Sequence, residues 1–294
     1  MNPSIAISLI DLRGKKLSKA QYKRAIPRAQ LDVTRAMEII APILDRVENG
    51  SEETLRELAL EYDGVRPEHI RVPRVVIDEA LAQLNPAVRM ALETSIARIR
   101  VVHEVQARKS QTTQVVPGAT VTQKWIPVDR VGLYVPGGNA VYPSSVMMNV
   151  IPAQIARVPS IAVASPPQRE YGGLPHPTIL ATCALLGIYE VYAVGGAQAI
   201  AMFAYGIDGL CEPVDLVTGP GNVYVAAAKR ALRGLIAIDS EAGPTEIGIL
   251  ADDSALASDV AADLISQAEH DVSAAAVLVT TSTTLADEVR VELA

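Results

Sequence analysis

From Val131 onward the chain alternates short apolar runs with stretches of helical period. The runs are rich in β-branched residues and are bounded by Gly, Pro or Asp. Runs of this kind suit strands buried on both faces, as in a parallel sheet covered by helices. The pattern predicts strands at Val131–Val135, Ser160–Ala164, Glu190–Val194, Val214–Thr218, Leu235–Ile238, Ile247–Leu250 and Ala275–Thr280. It predicts helices at Thr178–Leu186, Ala197–Tyr205, Val223–Leu232 and Ser258–Ala268. Successive βαβ units joined by right-handed crossovers follow, so the fold class is α/β with mostly parallel sheets.

The first ~125 residues read instead as helical. A short helix over Lys19–Ile26 stops at Pro27, and Leu31–Glu48 keeps helical spacing up to Asn49-Gly50. Ser51 caps the next helix, which carries Glu52 and Glu53 in its first turn and ends at Asp63-Gly64. Asn85-Pro86 opens a long helix with Val88, Leu92, Ile96, Ile99 and Val102 on one face. Hydrophobic residues make up 49% of the chain but aromatics only 4%, with Phe203 and Trp125 single examples of their kinds. The core is therefore expected to consist of Ala, Val, Leu and Ile. Pro166–Pro177, rich in Pro and Gly, reads as a loop within the sheet domain.

Open parallel sheets bind ligands at the carboxyl ends of their strands. Three Gly-rich turns fall at that position: Val135-Pro-Gly-Gly-Asn139, Val194-Gly-Gly-Ala-Gln198 and Thr218-Gly-Pro-Gly-Asn222. Their exposed N–H groups and small side chains would let a phosphate or a flat ring approach the main chain. None spells GxGxxG, and glycine after a parallel strand is ordinary turn chemistry. On residue chemistry alone, helix capping is the plainer reading of Gln198 and Asn222, and donors and acceptors for a ligand the other.

The net charge of -7, with no block of like charges, argues against a nucleic acid or an anionic membrane as partner. No apolar run approaches the ~18 residues of a membrane span, and the opening residues lack a secretory pattern. Cys183 and Cys211 lie in apolar surroundings and read as buried thiols of a reducing compartment, so a cytoplasmic location is expected. His69, His103 and His176 have no partner pattern that suggests catalysis.

The segments VGLYVPGGNAVYPSSVMMNVIPAQIA, HPTILATCALLG, VYAVGGAQAIAMFAYG, VDLVTGPGNVYVAAAKR, DSEAGPTE and ADLISQAEHD follow one another in that order, and IDLRG and RVVHEVQ precede them. Together they resemble the motifs of histidinol dehydrogenase, over essentially the whole chain. The resemblance implies an enzyme of histidine biosynthesis that oxidises L-histidinol to L-histidine through histidinal with two NAD and Zn2+. It implies that Tyr134, Gln198 and Asn222 contact NAD, that Thr245, Gln267 and His270 border the substrate, and that Gln267 and His270 ligate zinc. By spacing alone Gln267 and His270 would share one face at a helix end, where a solvated polar surface is the plainer reading.

The resemblance further implies two Rossmann-like domains with mostly parallel sheets, one inserted in the other, preceded by a helical N-terminal region. Residues 1–28 would form an N-terminal arm, 29–129 plus 241–294 the outer domain, and 130–240 the inserted domain. Family members are homodimers, so a homodimer is expected. Their catalytic Glu-His acid/base pair and two further zinc ligands come later than Ala294. No catalytic residue is therefore assigned within this chain, and an inactive partial form is expected. The alternatives are a truncated, non-catalytic remnant that keeps NAD binding or dimer contacts, and a divergent metal-free NAD(P) dehydrogenase.

Overall fold

The computed structural model describes residues 7–26, 33–137, 141–241, 246–269 and 274–293. It is an α/β structure that divides into two compact units, 33–241 and the combination of 1–32 with 242–294.

The larger unit begins with helices. Helix α2 (Val33–Glu48) follows α1 (Lys19–Ala25) of the smaller unit, and α3 (Glu52–Leu58) comes next. Ser51 is the N-cap of α3, and its N–H donates to the Thr54 hydroxyl at 3.1 Å. Beyond Leu58 the backbone widens into a π turn over Ala59–Asp63, which Gly64 ends in a left-handed conformation at φ 68°. Two helices follow, α4 (Arg74–Ala82) and the long α5 (Pro86–Gln106). Asn85 caps α5 through the Ala87 N–H, and Pro86 fills its first position, as the sequence predicts.

The helical reading of the early chain fails at residues 111–123. These form an antiparallel hairpin of β1 (Gln111–Val116) and β2 (Ala119–Gln123), closed by Pro117-Gly118 with Gly118 at φ 83°. Thr112 faces Thr122, their hydroxyls 2.9 Å apart. Every residue of both strands is exposed. With neither face buried, the hairpin lacks the apolar alternation by which strands are read from sequence.

The core sheet is parallel throughout. It comprises β3 (Arg130–Tyr134), β4 (Ser160–Ser165), β5 (Val191–Ala193), β6 (Leu216–Thr218) and β7 (Ala237–Ile238), in spatial order β5-β4-β3-β6-β7. Helices α6 (Pro143–Ile155) and α7 (Pro177–Leu185) carry the chain outward from β3 to β5. Helices α8 (Gly196–Tyr205) and α9 (Val223–Leu232) carry it back through β6 to β7. Helix α4 packs on α7 and α5 on α6, while α2 packs on α8 and α9. Val131, Leu133, Val163, Val191 and Ala193 point into the first of these layers. Gly132 points the other way, where a Cβ would meet the Phe203 ring at 2.6 Å, so the one Phe of the chain seats on a bare strand backbone. Cys183 and Cys211 are buried free thiols, as expected.

At the amino end of the sheet, Arg130 pairs with Glu190, and Glu190 accepts the Tyr192 hydroxyl at 2.7 Å. At the opposite end the strand order reverses between β3 and β6. That reversal opens a crevice outside the carboxyl ends of the strands.

The smaller unit holds α1 and a second parallel pair, β8 (Glu246–Ala251) with β9 (Ala275–Thr280), linked through α10 (Ala257–Ala268) and followed by α11 (Thr283–Glu292). Val260, Ala261, Leu264, Leu285 and Val289 form its core. Among the described residues, no helix is long and apolar enough to cross a membrane.

Candidate functional site

Tyr134 and Gln198 meet at the carboxyl edge of the core sheet. Tyr134 ends β3 and is 4% exposed; Gln198 lies in the first turn of α8 and is 2% exposed. They come together because β5 stands two strands from β3 and α8 returns over the face on which Tyr134 lies. The Tyr134 hydroxyl accepts the Gly196 N–H at 3.1 Å. Burial pushes its pKa up to about 12, the Gly196 N–H opposes this, and the nearby Asp63 charge adds to it.

Asp63 closes this cluster, at the end of the π turn. Gln198 Nε2 reaches Asp63 Oδ2 at 3.5 Å. A Cβ on Gly195 would lie 3.1 Å from Asp63 Oδ1 and 2.9 Å from Pro166, so only glycine fits between them. Burial raises the Asp63 carboxyl from 3.8 to about 6. In sequence, Asp63-Gly64 reads only as a helix stop. No sequence signal singles it out, since Leu60-Glu61-Tyr62-Asp63 is a mixed helix end.

The Thr218–Asn222 turn is held by a buried ion pair. Lys229, 1% exposed, donates to the Gly219 carbonyl and lies 2.7 Å from Asp239 Oδ1. Asp239 Oδ2 in turn accepts the Gly219 N–H at 2.9 Å. Gly219 has φ 119°, and a Cβ there would run into the Tyr134 carbonyl oxygen. The turn is thus seated on the β3 end at the strand reversal. Thr218 Oγ1 adds a 2.7 Å hydrogen bond to Asn149 Oδ1. Lys229 is legible in sequence only as a lysine among Val225, Ala226 and Leu232, on the apolar side of α9.

Asn222 is the N-cap of α9, its Oδ1 accepting from Tyr224 N and Val225 N at 3.1 Å each. The capping role foreseen for it is therefore occupied by its oxygen. Its Nδ2, the Gln198 Oε1 and the Tyr134 hydroxyl proton meet no partner among the described residues.

The remaining candidates lie in the smaller unit. Gln267 is half-buried near the end of α10. Helix α10 ends at Ala268, with Glu269 as C-cap. His270 and Thr245 lie outside the described residues. Among the described residues no three His, Cys, Asp or Glu side chains gather as a metal site. Gln267 by itself offers one neutral oxygen, a weak zinc donor. His176 caps α7 through Thr178 N at 3.1 Å and packs edge-on against Tyr171, the loop-shaping part its flanking prolines suggest.

Residues 26–294 match the family model of histidinol dehydrogenase. The chain is 66% identical to histidinol dehydrogenase of Thermobifida fusca (strain YX), over 98% of this chain and 65% of that protein. It is 61% identical to that of Streptomyces avermitilis, with the same shares covered. Its fold matches the crystal structure of histidinol dehydrogenase from Elizabethkingia anophelis with a TM-score of 0.84 at 30% identity, over 94% of this chain and 64% of that one. The chain spans about two thirds of the length of the curated relatives it matches, 65% for the first two.

Proposed function

The chain belongs to the histidinol dehydrogenase family, and on that premise we propose that it carries the cofactor-facing part of an enzyme oxidising L-histidinol to L-histidine with two NAD in turn. In this reading Tyr134, Gln198 and Asn222 meet NAD. Thr245, Gln267 and His270 meet the substrate, and Gln267 and His270 hold zinc. Bound NAD supplies a hydride acceptor and bound zinc a Lewis acid for the alcohol oxygen. The chain's own residues bind and orient. Gln198 offers a carbonyl, Asn222 an N–H and Tyr134 an O–H to the ribose and amide groups of the dinucleotide. The Lys229–Asp239 pair keeps the Thr218–Asn222 turn against β3.

One observation carries the reading: these polar groups and glycine turns converge at the strand-order reversal of a parallel sheet, where such sheets bind ligands. Calorimetric titration of the 294-residue protein with NAD tests it. Binding is expected, with Gln198→Ala lowering affinity by about tenfold, the loss of one buried hydrogen-bonding partner. Wild-type protein that takes up no NAD would sink the reading.

The same family resemblance supports an N-terminal arm over 1–28, an outer domain of 29–129 plus 241–294 and an inserted domain of 130–240. Packing of α2 on α8 and α9 crosses the proposed boundary at 130, and limited proteolysis that cuts near 130 and near 240 and leaves 130–240 as a stable piece would support the division. A homodimer in the cytoplasm completes the reading. The exposed hairpin supports the dimer: Val115, Val116 and Val121 are 57–63% exposed, a surface suited to a second copy.

A further inference from the structure

We infer that Asp63 is a binding residue of the cofactor site, accepting hydrogen bonds from a ribose diol of the dinucleotide. The inference rests on the NAD reading of Tyr134 and Gln198 and adds a residue from outside the βαβ segment.

The geometry of the carboxyl is unlike that of the protein's structural aspartates. Asp239 accepts from Lys229, Gly219 N and Ser240 N. Asp215 accepts from Arg130 N, and Asp252 from Ser254 N and its hydroxyl. Asp63 meets no cation and no backbone N–H among the described residues. Its one polar contact is the Gln198 amide at 3.5 Å, the outer limit of a hydrogen bond. An ionised carboxylate has about four acceptor positions, so most of its capacity is unused. Partial burial raises its pKa, which marks the position as unfavourable for the charge. A carboxylate kept where it costs stability is explained by a donor that arrives with a ligand.

The surroundings select the donor. Gly195 cannot carry a Cβ, and Gly196 beside it, half-buried at φ 57°, leaves the approach to Asp63 and Gln198 low-walled. A phosphate is excluded by like charge. A metal would need further ligands, and among the described residues Asp63 stands in no cluster that could supply them. Vicinal hydroxyls remain: two neutral donors that a single carboxylate accepts together. The nucleotide's pyrophosphate then lies away from Asp63, toward the Thr218–Asn222 turn.

The test compares wild type with Asp63→Asn by calorimetry, with NAD and with inorganic pyrophosphate as probes. Asparagine keeps the shape and removes the charge; thermal unfolding confirms that the variant is folded, and Asp63→Ser serves as a second variant. NAD affinity is expected to fall by about tenfold, the loss of charge-assisted hydrogen bonds, while pyrophosphate affinity stays level or rises. Unchanged NAD affinity, or an equal fall for both probes, overturns the inference and leaves the NAD reading intact. Wild-type protein that binds no NAD overturns both.

Discussion

A half-buried carboxyl and a buried ammonium near the same sheet edge behave oppositely, and each makes a prediction. Burial raises Asp63 from 3.8 to about 6, so the folded chain holds this proton more tightly than the unfolded chain does. Below pH 3.8 both states are protonated and the residue costs nothing. As pH climbs toward 6 the unfolded state ionises first, stability falls, and above 6 the penalty is complete. At about 1.4 kcal/mol per pH unit the penalty is at most about 3 kcal/mol. Asp63→Asn should therefore raise the melting temperature at pH 7.5 and leave it unchanged at pH 3.5; equal shifts at both pH values would contradict the burial argument. Lys229 is the contrary case, a buried charge fully engaged with Asp239 and the Gly219 carbonyl. Removing one partner of such a pair strands the other, and Lys229→Met is expected to cost about 3 kcal/mol. Its denaturant midpoint, compared with wild type, reads this directly.

At the level of elements, two glycine turns of positive φ separate conformational strain from steric conflict. Gly118 has φ 83° with open space around its Cβ position, whereas Gly219 has φ 119° and the Tyr134 carbonyl in the way. Gly118→Ala should cost only the left-handed penalty, about 1 kcal/mol. Gly219→Ala should cost more and weaken NAD binding as well, because the Thr218–Asn222 turn must lift from β3. Chemical denaturation and NAD titration of the two variants check this, and equal costs would refute it. The same elements indicate what a sequence can disclose. The core strands were legible to within a residue or two because they are β-branched runs cut off by Gly, Pro and Asp. Helix α9 was legible because Asn222 caps it. The hairpin was not, because Gln111-Thr-Thr-Gln-Val-Val buries no face. Asp63 was not, because Asp-Gly announces the end of a helix and says nothing of the strands that end lies against. Tyr134 and Gln198 were named through family motifs; their hydrogen-bonding surroundings arise only from the strand order.

For the molecule as a whole, binding and turnover are separable. The groups proposed to meet NAD, together with Asp63, lie within the unit of residues 33–241, and none of them depends on the zinc ligands for its position. Of the ligands that the family resemblance names for zinc, this chain has Gln267 and His270, and His270 is its last histidine. A catalytic zinc usually has about three protein ligands, so two neutral ones should hold it weakly. The alcohol proton also needs a base, whose contribution is about 10²–10⁴-fold, and the family's Glu-His pair is not among these residues. The 294-residue protein is therefore expected to bind NAD yet to form NADH from histidinol at less than about 1% of the rate of a full-length relative, the lower bound of what a missing base removes. Absorbance at the NADH band, with zinc and histidinol saturating, measures the rate, and calorimetry measures the binding. Turnover matching that of the Thermobifida fusca enzyme would show that acid/base chemistry resides within these 294 residues and would return the search for a proton acceptor to the groups already at the sheet edge, Asp63 first among them.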